Sequence, residues 1–414
     1  MAVAGLVCCS VFLLQGCLKD SITHTYTYTF YRPIYKTVAE VRANIKTNNS
    51  QPIERPGKIF VKGNYIFLNE VDKGVHLIDN TNPAQPKNIG FITIPGNIDI
   101  AVKENTLYAD LYTDLVAIDI TNPKNAILKK VIEGVFPDRY YYGVFNGDST
   151  KIIIDWEKRD TTVSDAMTMG GRMQANSEVF ISYAADAGGK SAAASPYGVG
   201  GSMARFTIIE ERLYTVGNSD LQVFNISNTI NPVFSSKQNM RWGIETIYPF
   251  KNKLFIGSQT GMFIYSLNNP DNPVEEGQFN HVRVCDPVIA DDNYAYVTLR
   301  SGSVCSGFNN ELNILSLSNL SKPVLIKVYS LTNPHGLAKD GNALFICDGR
   351  AGLKIYNAKN VSDLKLVKKI EGIETFDVIT LGGIALAVAK DGLYQYDYSN
   401  LNDIRLLSKI TLTK

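Results

Sequence analysis

One short string recurs along most of this chain, and it constrains the fold more than any other feature. It reads Gly74-Val-His-Leu-Ile-Asp79-Asn-Thr-Asn-Pro83, and returns as Asp114-Leu-Val-Ala-Ile-Asp119-Ile-Thr-Asn-Pro123 and Asp220-Leu-Gln-Val-Phe-Asn225-Ile-Ser-Asn228. Further copies are Gly261-Met-Phe-Ile-Tyr-Ser266, Glu311-Leu-Asn-Ile-Leu-Ser316, Gly352-Leu-Lys-Ile-Tyr-Asn357 and Gly392-Leu-Tyr-Gln-Tyr-Asp397. Each is an apolar strand, a polar stop, and a turn in which Pro presets φ and Asn tolerates the left-handed region. A second feature precedes each copy: an apolar strand, a tight polar turn and another apolar strand, the signature of a hairpin. The turns fall at Gly63-Asn64, Glu104-Asn105, Asn146-Gly147-Asp148, Glu210-Glu211, Lys251-Asn252, Asp291-Asp292, Asp340-Gly341 and Gly382-Gly383. The hairpin at Tyr140–Glu157 takes Glu178–Ser182 as its third strand, which brings the count to eight units. A unit of about 42 residues with four strands is the period of a β-propeller blade. The sequence therefore predicts an all-β chain, a single propeller of eight four-stranded blades, with seven as the alternative.

The repeat resembles the LVIVD repeat, over about residues 58–412. The whole layout is similar to LVIVD-repeat β-propeller lipoproteins of the Bacteroidetes type. That resemblance implies architecture and an envelope location but no defined activity.

The N-terminus fits the same picture. Residues 2–14 form an apolar stretch too short to span a bilayer and suited to a signal-peptide core. It ends in Leu14-Gln15-Gly16-Cys17, which resembles a lipobox, so Cys17 is expected to become the acylated first residue of the mature chain. Leu18-Lys19-Asp20 resembles the charged tag that directs some such lipoproteins to the cell surface. The expected organisation is a lipoprotein signal peptide over 1–16, a lipidated tether and lead-in over 17–52, and the propeller over 53–414. The predicted location is the outer membrane or cell surface, held by palmitate-type acyl chains.

Counting back from each hairpin turn locates where each inner strand enters the channel. The positions are Lys58, Asp99, Tyr141, Arg205, Glu245, Asp286, His335 and Asp377, all polar and four of them acidic. They are expected to ring one channel mouth, either as a solvated opening or as a ligand site. Asp99, Asp286 and Asp377 would offer hard oxygen donors to a divalent cation, whereas Lys58 and Arg205 would favour an anionic group. No other cofactor is expected. Tyr142 and Trp242 lie in loops of the same rim, where aromatic side chains stack on sugars or peptides or pack between blades. Two insertions, 159–176 and 301–310, also reach that rim, and the Gly-, Ala- and Ser-rich stretch 184–202 reads as loose chain.

With 41 basic and 40 acidic residues the net charge is +1, which gives no field for nucleic acid. No Gly-x-Ser-x-Gly, His-Glu-x-x-His or phosphate-loop motif occurs in the sequence. The expectation is a monomeric binding or scaffold module that holds a glycan, a peptide or an envelope protein through the insertion-bearing rim. A hydrolase or lyase with its site at the channel mouth is the alternative.

Cys8, Cys9 and Cys17 belong to the leader, leaving Cys285, Cys305 and Cys347 in the body. Cys285 and Cys305 are expected on one rim of one blade, in an exported and oxidising setting, and so to form a disulfide. Cys347 should be a buried free thiol. Thiol titration of the denatured, unreduced mature protein is expected to find one reactive cysteine, and three would exclude the bridge.

Overall fold

The architecture is that of a computed structural model, which describes residues 23–137, 151–166, 199–281, 287–301 and 309–412. The chain divides into two compact units, residues 1–38 with 142–181 and residues 39–141 with 182–414.

The smaller unit is a two-stranded antiparallel ribbon of Thr23–Thr37 against Lys151–Ala166. Alternating Thr and Tyr suit a strand exposed on both faces. Here the structure departs from the expected extra blade. Lys151–Ala166 is one continuous strand that runs through the start of the expected insertion at Arg159 and takes the lead-in as its partner. Its 16 residues are too long for a blade hairpin, and Thr29 fixes the alternative pairing with a 2.5 Å hydrogen bond to Asp160. The remainder of the expected blade, including Tyr141, Tyr142 and Glu178–Ser182, lies outside the described residues.

The larger unit contains seven sheets that repeat one up-and-down order. Sheet one runs Pro56–Lys62, Tyr65–Glu70, Gly74–Asp79, Lys87–Thr93, with Val199–Gly200 added at its inner edge and Lys46–Asn48 at its outer edge. Sheet two is Ile100–Lys103, Thr106–Leu111, Asp114–Asp119, Ile127–Ile132. Sheet three is Phe206–Ile209, Arg212–Val216, Asp220–Asn225, Val233–Asn239, and sheet four Ile244–Phe250, Lys253–Ser258, Gly261–Ser266, Val274–Asn280. Sheet five is Val288–Ala290, Tyr294–Leu299, Glu311–Ser316, Val324–Ser330. Sheets six and seven are Leu337–Asp340, Ala343–Cys347, Leu353–Asn357, Lys365–Ile370 and Thr375–Leu381, Ile384–Ala389, Gly392–Asp397, Arg405–Thr411. Innermost strands lie beside one another in chain order, and Thr375–Leu381 returns against Pro56–Lys62.

The repeated string works as two linked hydrogen bonds. The polar stop accepts the amide two residues on: Thr81 N to Asp79 and Thr121 N to Asp119, each 2.9 Å, and likewise at Asn225, Ser266, Ser316, Asn357 and Asp397. The residue after the stop donates its own amide to the preceding hairpin turn, as Asn80 does to Asn64 O at 2.7 Å and Ile120 to Asn105 O at 2.8 Å. Turn and strand therefore hold each other in place, which is why the two sequence features keep a fixed spacing.

The apolar faces pack sheet on sheet. One cluster joins Ile59, Val61, Ile66 and Leu68 of sheet one to Ile379, Leu386 and Val388 of sheet seven. Polar contacts join the same two sheets, because Gln395 and Asn80 exchange amide hydrogen bonds of 2.6 and 3.0 Å. Ser408 Oγ adds a 2.6 Å bond to Pro83 O. Gln395 is buried, so Gln395→Ala leaves Asn80 unmatched, at about 1–3 kcal/mol. A lower urea midpoint with an unchanged m-value is the expected result.

Candidate functional site

The described members of the predicted ring all stand where an inner strand begins: Lys58 in sheet one, Asp99 before sheet two, Arg205 before sheet three, Glu245 in sheet four, His335 before sheet six and Asp377 in sheet seven. The entry positions were legible from the sequence. Their surroundings were not. Lys58, Asp99, His335 and Asp377 are all buried rather than solvated.

Over Lys58 and Asp99 lies the chain's own segment 199–205. Val199–Gly200 pairs antiparallel with Phe60–Val61 of sheet one. The Lys58 ammonium donates to Met203 O. Ile247 N of sheet four donates to Ala204 O at 2.8 Å. Leu337 N of sheet six donates to Ser202 Oγ at 3.3 Å. Arg205 N donates to Asp99 Oδ2 at 3.0 Å, and the Arg205 guanidinium to Ile244 O at 2.8 Å. One short segment thus bonds to sheets one, two, four and six, which is possible only if it crosses the centre. Stretch 184–202, read from composition as loose chain, ends in this packed plug. Glycine and serine there serve close approach, since a Cβ on Gly200 would come within 3.0 Å of the Phe60 ring.

The described members of the expected ring are engaged within the chain. Asp99 is engaged by Arg205 N, by Ile100 N at 3.2 Å and by Lys58 at 3.7 Å. His335 Nε2 lies 2.7 Å from Asn333 Oδ1, and burial together with the nearby Arg300 lowers its pKa to about 3, so its imidazole is neutral at physiological pH. Glu245 accepts from Gln259 Nε2 at 3.1 Å. Among the described residues no three His, Cys, Asp or Glu side chains gather as metal donors. Tyr141 and Asp286 lie outside the described residues, as do Cys17, Tyr142 and both members of the expected Cys285–Cys305 bridge. Cys347 is a buried free thiol, and burial raises its pKa further.

Asp377 differs from the others. It is fully buried, its Oδ1 accepts Val378 N at 2.6 Å, and its Oδ2 has no hydrogen-bond partner. Burial pushes its pKa up to about 7, against the opposing pull of the Val378 amide and Lys58.

Sequence reasoning missed two carboxylates that shape the loops leading into the centre. Asp110 accepts the amides of Ile98 and Asp99 at 3.0 and 2.7 Å. Asp348 accepts those of Thr332 and Asn333 at 2.9 and 2.7 Å and pairs with Lys354 at 2.5 Å. The available signal was an Asp at the end of an otherwise apolar second strand, in Leu107-Tyr-Ala-Asp110 and Phe345-Ile-Cys-Asp348.

On the rim, Trp242 is 54% exposed and Arg241 stacks on Phe263 at 5.1 Å. The insertion after sheet five's second strand is fastened at its base, where Ser301 N donates to Asn310 Oδ1 at 3.1 Å and Asn310 Nδ2 to Ser301 Oγ at 2.9 Å.

Comparison with known proteins bears on the fold. The LVIVD repeat model matches residues 57–93, 97–132 and 285–330, so LVIVD repeats are present in sheets one, two and five. The structure is similar to the computationally designed Ika8 protein, at TM-score 0.51 and 8% identity over 87% of this chain and 89% of that one. It is also similar to Sqt1 of Saccharomyces cerevisiae, at TM-score 0.51 and 9% identity over 88% and 89%. A protein from Lactobacillus plantarum matches at TM-score 0.50 and 12% identity over 78% and 85%. These identities speak to the fold alone, an all-β, propeller-like arrangement of four-stranded sheets. No curated protein matches the chain in sequence.

The buried carboxyl has a pH signature. A carboxyl whose pKa rises from 3.8 to about 7 on folding favours the folded state fully only below 3.8, and stability is lost as pH climbs toward 7. The loss is on the order of 4 kcal/mol at most. Asp377→Asn should abolish it, so the gap in urea midpoint between variant and wild type should widen from pH 4.5 to pH 8. A constant gap would place the carboxyl in a solvated environment.

Proposed function

We propose that this chain is a lipid-anchored protein of the cell envelope whose seven-bladed propeller is a binding or scaffold module. The blade count is supported by the seven four-stranded repeats and by the return of the last inner strand to the first. Acylation at Cys17 is supported by the apolar leader and the Leu-Gln-Gly-Cys sequence. Among the described residues no helix is long and apolar enough to cross a membrane.

The observation that carries the binding reading is the filled centre. Charges that would act on a substrate in the channel are committed to the chain's own backbone at Met203 and Arg205. The rim instead offers an exposed indole at Trp242 beside a stacked Arg241. That chemistry suits the flat faces of sugars or the aromatic and acidic groups of a peptide. The partner is therefore a glycan, a peptide or an envelope protein held at the rim, on a protein at the outer membrane or cell surface.

Both halves can be tested in one strain. With a photo-crosslinking amino acid at position 242, intact cells should yield a discrete adduct of the membrane-fraction protein. Cys17→Ala should move the protein out of that fraction and remove the adduct. Unchanged membrane partitioning of Cys17→Ala would exclude the anchor, and irradiation without any adduct would exclude the rim as the binding face.

A further inference from the structure

The bonds from the described inner wall to segment 199–204 read backbone or a small hydroxyl. The inner edge of sheet one pairs with Val199–Gly200 as one strand with another. Lys58 and Ile247 N each take a carbonyl, at Met203 and Ala204. Leu337 N takes the hydroxyl of Ser202. Position 200 demands smallness, because Phe60 lies against the chain there. The segment is a strand at Val199–Gly200 and a turn after it, closed by Ala204 N on Gly201 O at 2.9 Å. A wall of this kind therefore recognises a short strand-and-turn peptide of small residues, by strand addition at a sheet edge.

The resident segment also fits the wall incompletely. It pairs through two residues only. Lys58, which holds Met203 O, also acts on the buried Asp377 carboxyl, whose Oδ2 is left without a hydrogen-bond donor. A buried acceptor without a partner is a standing cost that a better-matched occupant removes.

We propose that segment 199–204 is a self-inhibitory plug in a peptide-binding channel, displaced by a Gly-, Ser- and Ala-rich peptide that pairs as a strand and then turns as the segment does. The peptide would add a strand to Phe60–Val61, present a carbonyl to Lys58 and bring an N–H or hydroxyl donor toward Asp377. The inference rests on the reading of the chain as a binding module and gives it a second, internal site with a defined ligand class. Asp377, Lys58, Asp99, Arg205 and His335 are then the charged and titratable groups that the exchange uncovers, and the rim around Trp242 is not part of it.

The probe is the chain's own sequence 197–205 as an acetylated, amidated, fluorescent peptide, titrated onto the full-length protein in detergent. Gly200→Val sets a branched side chain against Phe60 and so loosens the plug. That variant should bind the peptide at least tenfold more tightly than wild type, and adding Lys58→Gln should reverse the gain. A folded Gly200→Val protein with no gain, or a gain insensitive to Lys58, would overturn the proposal. If Gly200→Val does not fold, amide exchange of the wild-type protein gives the answer. Millimolar peptide should speed exchange across 199–204, and unchanged protection there would overturn the proposal equally. Crosslinking at position 242 does not depend on Gly200, so a failed channel with a retained rim adduct leaves the binding-module reading standing.

Discussion

The larger unit depends on one small interaction made seven times. A side-chain oxygen at the end of the third strand captures the amide two residues on, and the next amide bonds the hairpin turn behind it. Without the first bond the chain would run on as a strand, because the residues before it are apolar and extended. With it, the chain turns and returns as the outer strand. Asp, Asn and Ser all serve, since each has an oxygen within reach of the i+2 amide. At Asp79 the bonds from the Thr81 hydroxyl and amide hold the carboxyl below its usual range, evidence that the turn organises charge as well as shape. The same pairing also carries a bulge between third and fourth strands in every one of the seven sheets, which adds twist where each blade meets its neighbour.

Once turns fix the sheets, packing decides how they are joined. Third strands are almost wholly buried, and their apolar residues meet the next sheet. Phenolic hydroxyls complete the contact, with Tyr108 bonding Thr229 O and Tyr214 bonding Pro270 O of the sheet that follows. Arg212 adds a two-pronged pair with Asp271, at 2.6 and 2.8 Å. First and last sheets have no chain connection of this kind, so the Asn80–Gln395 exchange and the Ile379 and Leu386 contacts take that role.

How much could be read in advance follows from the range of each interaction. The turn is local, so seven copies of its string located seven third strands. Inner-strand entry points were found because they lie a fixed distance from a local turn. The ribbon of Thr23–Thr37 and Lys151–Ala166 was missed because each strand alone suits either a blade or a ribbon, and partner choice is a long-range matter. The plug was missed for the opposite reason. Val199 to Ala204 has the composition of a linker, and only the three-dimensional crossing of the centre shows why small residues are required. Burial then changed the meaning of the ring: polar residues in register suggested an opening, whereas Lys58 and Asp99 are structural groups bonded to the chain itself.

The space between the inner strands poses a physical problem that this sequence solves with backbone. Inner strands set side by side in chain order leave room between them, and apolar side chains that filled it would have to come from several sheets at once. A single segment, strand at Val199–Gly200 and turn after it, fills it with one set of residues but brings amides and carbonyls that cannot be left dry. The entry residues answer that demand in kind: Lys58 supplies a donor for Met203 O, Asp99 an acceptor for Arg205 N, and the strand amides of Ile247 and Leu337 take the rest. Mixed signs around the ring, which argue against any simple ion, are what a peptide backbone with alternating donors and acceptors needs. Asp377 Oδ2 and Arg205 Nε are entry-residue atoms whose supply exceeds the demand, and an acceptor left over beside a backbone-reading Lys58 marks where a different backbone would fit more closely.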